Sequence, residues 1–204
     1  WNSLWLNEGF AQFIQYLIMD DYAPEANAKS MIAFNDGFSC FRYFGGGKVV
    51  PAESEVSFRG LFDSLVYVKG AYVLKMFYDI VGRDQFCNIC KNYLLKYKNK
   101  TAEVPDFIRI VNSTLNLDFS NFFNTWLRLP GFPVLIVQEI VDDGKNVIGI
   151  HISQTSSNDV SYRFKLPLMY ELNGEIQKVD VEMAYDAMPL AFQFDWVFVN
   201  DGLT

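Results

Sequence analysis

Histidine is nearly absent from this 204-residue chain. The one occurrence, His151, sits in the stretch Ile148-Gly149-Ile150-His151-Ile152. Zinc hydrolysis sites usually take two or three imidazoles, and a Ser-His-Asp arrangement would need this same ring. With no acidic or thiol neighbour in sequence, His151 reads as an ordinary strand residue, and the chain alone cannot build a His-rich metal site. Cysteine is scarce as well: three residues, at 40, 87 and 90, do not describe a disulfide scaffold. Cys87 and Cys90 form one Cys-x-x-Cys pair with no second pair. On a helix that spacing puts both thiols on one face, where they read as small core hydrophobes rather than as a zinc knuckle. No apolar run approaches the roughly 20 residues of a membrane helix. Basic clusters are missing too: 17 Lys plus Arg stand against 24 Asp plus Glu, a net charge of −7, which argues against a nucleic-acid partner. No positively charged leader opens the chain, which begins on Trp1 rather than Met, as an internal segment would. Repeats and low-complexity tracts are also lacking.

What the chain has in quantity is apolar and aromatic surface: 50 % of residues are hydrophobic and 17 % aromatic, enough for a substantial buried core. Up to about Trp126 the pattern is helical. Phe10, Phe13, Ile14 and Leu17 recur at i, i+3, i+4, i+7, and Tyr67–Val81 continues in that style with Val73, Leu74, Phe77 and Ile80. Asp84–Tyr97, Val104–Ser113 and Asp118–Trp126 read as three more helices, the last with Asp118 as N-cap. Gly45-Gly46-Gly47-Lys48 reads as a loop rather than a phosphate cradle, because Arg42 and Val49 stand where that motif needs Gly and Ser or Thr. After Pro130-Gly131 the period falls to two. Pro133–Ile140, Val147–Ser153, Tyr162–Leu172, Ile176–Met183 and Leu190–Val199 read as five strands, with Asn173-Gly174 as a type I′ hairpin turn and Pro167 at an edge or bulge. The expected class is α+β: a helical part over 1–130, then an antiparallel β-sandwich over 131–204.

Two segments hold residues that could do chemistry. In Leu4-Trp5-Leu6-Asn7-Glu8-Gly9-Phe10-Ala11, Glu8 is a carboxylate near the start of an apolar helix, which on spacing alone reads as an acid favouring the helix dipole. In Phe62-Asp63-Ser64-Leu65-Val66-Tyr67-Val68-Lys69-Gly70-Ala71, Tyr67 in isolation reads as packing. Together, in this order, the two segments resemble the M1 zinc metalloaminopeptidases, gluzincins of the aminopeptidase N type. The first is similar to the stretch that follows that family's His-Glu-x-x-His helix, whose Glu is the third zinc ligand, and Glu8 matches it. The second is similar to the family's Tyr-x-Lys-Gly-Ala, whose Tyr hydroxyl donates to the oxyanion of the tetrahedral intermediate, and Tyr67 matches it. Lys69, Gly70 and Ala71 match too, the last two as close helix packing. Trp126-Leu127-Arg128-Leu129-Pro130-Gly131-Phe132-Pro133-Val134 resembles the junction where the family's catalytic domain gives way to a small β-sandwich, and Asp195-Trp196-Val197 resembles a strand near that sandwich's end.

The resemblance implies the C-terminal part of a helical, thermolysin-like catalytic domain followed by an incomplete sandwich, zinc as the parent enzyme's cofactor, and peptides with a free N-terminus as substrates. It also implies what is missing. The family's second His precedes the third ligand by about eighteen intervening residues, upstream of Trp1, and takes the general-base Glu with it. The isolated chain is therefore expected to bind no zinc and hydrolyse no peptide. The alternative is a truncated, non-catalytic M1-like module. The family has cytosolic, secreted and membrane-anchored members. The sequons Asn99-Lys100-Thr101 and Asn112-Ser113-Thr114 lean weakly towards an extracellular setting, although one or two arise by chance in an Asn-rich chain.

Overall fold

A computed structural model of the chain describes residues 2–22, 47–55, 62–144, 147–155, 160–183, 188–190 and 196–199. Trp1–Pro130 and Gly131–Thr204 form two compact units. The first contains α1 (Trp5–Tyr22), a π-helical turn (Leu65–Lys69) leading into α2 (Gly70–Val81), then α3 (Arg83–Tyr97), α4 (Val104–Leu115) and α5 (Ser120–Arg128).

Local chemistry sets the helix ends. Gly82, at φ 80°, closes α2 and opens α3 in a conformation only glycine adopts cheaply. Glu103 and Asp106 form a reciprocal capping box at the start of α4, next to Pro105, and Asn116 in the left-handed region ends it. The N-cap of the last helix is corrected from Asp118 to Phe119, but Asp118, two residues before Ser120, still binds the helix start: its carboxylate accepts from the Ser120 N–H at 2.9 Å and from Asn112 Nδ2 at 2.9 Å. These bonds hold its pKa below the usual carboxylate value, the Ser120 side-chain bond first.

The core of this unit is aromatic. Trp5, Phe13, Phe77, Phe86, Phe107 and Phe123 are buried. They meet largely edge to face: Phe107 on Phe123 at 5.6 Å and 78°, Phe77 on Phe119 at 5.1 Å and 81°, Trp5 on Phe107 at 6.1 Å and 83°. Two residues expected on buried faces are not: Ile14 is 40 % exposed and Ile80 60 %. Each sits at the margin of its stripe, and the buried line of α1 runs instead through Trp5, Leu6, Gly9 and Phe13.

The second unit has two three-stranded antiparallel sheets, in the order β1 (Val134–Val141), β2 (Val147–Thr155), β5 (Met188–Leu190) and β4 (Glu175–Met183), β3 (Phe164–Leu172), β6 (Trp196–Val199). Ile150 and Ile152 of β2 join Leu166 and Leu168 of β3 and Val181 and Met183 of β4 in one buried cluster, so the sheets share a core as the layers of a sandwich do. Asn173 (φ 53°) and Gly174 (φ 77°) make the hairpin between β3 and β4, where Leu172 faces Glu175. Pro167 faces Asp180 of β4, whereas the β6 ladder starts one residue later at Leu168; among the described residues position 167 is paired on one side only. The single strand expected over Leu190–Val199 is corrected. Two short strands, β5 and β6, pair in different sheets, with 191–195 outside the described residues.

Candidate active site

Glu8 lies in the first turn of α1, half-buried, near the positive end of the helix dipole. Tyr67 lies in the π-helical turn before α2, also half-buried. That turn is anchored by Asp63, whose Oδ1 accepts from the N–H groups of Leu65 at 3.0 Å and Val66 at 3.2 Å. A π turn carries one residue more per ring than an α turn, and such insertions recur at functional sites because they re-aim a side chain.

The two segments meet backbone to backbone. A Cβ placed on Gly9 would stand 3.1 Å from the Gly70 carbonyl carbon, and one on Gly70 would stand 3.4 Å from Gly9 Cα and 3.5 Å from Trp5 Cβ. Ala71 beside it is fully buried. Small residues on both sides therefore let α1 and the start of α2 touch, and this contact carries Glu8 and Tyr67 together. The Tyr67 hydroxyl hydrogen-bonds with the Glu8 carboxylate. Burial raises the Tyr67 pKa above its ordinary value, and the Glu8 charge and hydrogen bond raise it further. At neutral pH Tyr67 is thus a protonated phenol, a donor held against a carboxylate. Lys69 points elsewhere: its ammonium donates to the Leu129 carbonyl at 3.0 Å, at the C-terminal end of α5, where a cation suits the helix dipole.

Among the described residues no three His, Cys, Asp or Glu side chains come together as a metal site. Glu8 offers a single carboxylate, and the described residues do not by themselves fit a zinc ion. His151 lies mid-strand in β2 opposite Gln138 and Pro189. The core reading of the Cys pair is corrected. Cys87 is exposed, while Cys90 is partly buried with its thiol pushed up to about 11, burial being the first cause and Cys87 the second. A high thiol pKa leaves little thiolate for metal or nucleophilic chemistry. Gly45 and Gly46 lie outside the described residues, and Lys48 pairs with Glu55 at 2.9 Å. The anchoring role of Asp63 was missed in the sequence. Its signal was an Asp two and three residues before the first N–H groups of a helical run, the Asx-turn pattern.

The profile described as peptidase family M1 domain matches residues 1–126. The probable aminopeptidase 1 of Sulfurisphaera tokodaii is 28 % identical over 195 residues, covering 91 % of this chain and 25 % of that protein. The glutamyl aminopeptidases of Sus scrofa and Bos taurus are 27 % and 31 % identical, covering 86 % and 72 % of this chain but 19 % and 15 % of theirs. The chain thus spans a quarter or less of the length of these relatives. With the profile extending across most of its length, from the Glu8 segment through the Tyr67 segment to Trp126, the chain belongs to peptidase family M1.

Proposed function

We propose that this chain is the part of a zinc-dependent aminopeptidase that contributes one metal-binding carboxylate, Glu8, and one oxyanion donor, Tyr67. The observation that carries the reading is their pairing: a protonated phenol beside a half-buried carboxylate, positioned by the Gly9–Gly70 contact. Relatives named aminopeptidases support peptides with a free N-terminus as substrates. Zinc in such enzymes supplies Lewis acidity and an activated water. Glu8 is the ligand this chain has to offer, and two imidazoles and a general base must come from beyond these 204 residues, whose one His is His151. Tyr67 keeps its proton at neutral pH and can donate it as a hydrogen bond to an oxygen on which charge develops. The second reading is a non-catalytic M1-like module.

One experiment separates the two. The transcript is sequenced upstream of Trp1, and Tyr67→Phe is then made in the longer product. An in-frame His-Glu-x-x-His, with kcat falling about 100- to 1,000-fold and KM little changed, supports the enzyme. A message that starts near Trp1, or a Tyr67→Phe variant of undiminished kcat, overturns it.

A further inference from the structure

The two glycosylation sequons stand in opposite structural situations. Asn112 is half-buried in α4 and its amide is fully engaged. Nδ2 donates to Asp118 at 2.9 Å and to Ser120 Oγ at 3.2 Å, and Oδ1 accepts from the Phe119 N–H at 2.9 Å. The sequon's hydroxyl residue, Thr114, accepts from Asn92 Nδ2 at 3.1 Å. A sugar on Asn112 would take one of the Nδ2 hydrogens and push a bulky group into the α4–α5 corner.

Asn99 lies in the connection between α3 and α4, where residues 98–101 are all exposed. Lys98 (φ −51°, ψ 123°) and Asn99 (φ 59°) are the central residues of a type II turn closed by a 2.9 Å bond from the Lys100 N–H to the Tyr97 carbonyl. The turn accounts for Asn at 99, since Asn tolerates the left-handed conformation, but it makes no demand on position 101. Thr101 is exposed, and its hydroxyl is left to complete an acceptor sequence. Beside the turn lies an open cleft of about 410 Å³, lined among others by Tyr93, Tyr97 and Asn99. The two rings lie 5.5 Å apart and tilted by 40°.

We propose that Asn99 is an N-glycan acceptor and that Asn112 is not. The reaction joins Asn99 Nδ2 to the anomeric carbon of a lipid-pyrophosphate-linked oligosaccharide. The glycosyl–phosphate bond breaks, the lipid pyrophosphate leaves, and Nδ2 loses one proton. The test places the 204-residue chain behind a secretion signal in eukaryotic cells and maps glycopeptides in the intracellular and secreted pools together. One glycan at Asn99 is expected, removed by a peptide N-glycosidase and lost in both Thr101→Ala and Asn99→Gly. The first leaves the turn untouched and the second suits its positive φ, so neither depends on tolerance of strain. Unmodified Asn99, or a glycan on Asn112, overturns the proposal.

Discussion

Tyr67 shows how a single side chain acquires a chemical character that its type does not dictate. A free phenol titrates near pH 10. Here burial, then the charge of Glu8 and the hydrogen bond with it, all favour the neutral form. Because the folded pKa is raised, any stability linked to this group is complete below the ordinary tyrosine value and is lost as pH rises through the higher folded value. Glu8→Gln removes the charge but leaves the burial. The Tyr67 titration, followed by NMR of ring-labelled tyrosine, is expected to move down in pH while staying above that of an exposed tyrosine. An unmoved midpoint would mean that Glu8 and Tyr67 do not interact. The pairing was not legible in the residues taken singly, since Glu8 passes for a helix-start acid and Tyr67 for packing. Only their order along the chain, matched to a family pattern, singled them out.

Between elements, the decisive contact is that of α1 with the start of α2. Helix faces usually meet through side chains, but here Gly9 and Gly70 bring two backbones together, and a Cβ at position 9 would meet backbone atoms that cannot swing aside. Gly9→Ala is expected to cost about 1–3 kcal/mol, as an overpacked core position does, even though alanine is the better helix former. Urea unfolding followed by circular dichroism measures it, and wild-type stability in that variant would show that the backbones do not touch. Helix existence and most helix ends were legible, because caps and periodicity are local: α3 and α4 start within a residue of where Asp84 and Val104 signal them. The π-helical turn was not. It forms the start of what reads as one helix from Tyr67 to Val81. Leu190–Val199 failed because one alternating pattern suits either sheet, and the chain divides it between both.

For the molecule as a whole, the described residues place one carboxylate at the candidate site and gather no metal cluster. A stable zinc site takes three or four ligands. The purified 204-residue chain with added zinc is therefore expected to release no N-terminal residue from a peptide above the zinc-only background. Zinc-dependent release would show that the chain completes a site from its own residues.

The sequence by itself determined the elements that local chemistry can specify. These are the change from a helical to a two-residue period at Pro130-Gly131, the Asn173-Gly174 hairpin with both residues at positive φ, the Asp118 carboxylate at the start of the last helix, and the two motifs that mark the family. Only the tertiary structure decided that Glu8 and Tyr67 stand side by side, that Ile14 and Ile80 lie outside the buried faces, that Cys87 is exposed, and which of the two sequons keeps its amide free of the fold. The reason is physical. Capping, turn and period signals act over a few residues. Burial and site geometry depend on which distant segments share a face, and here a pair of glycines far apart in the chain settles that for the site.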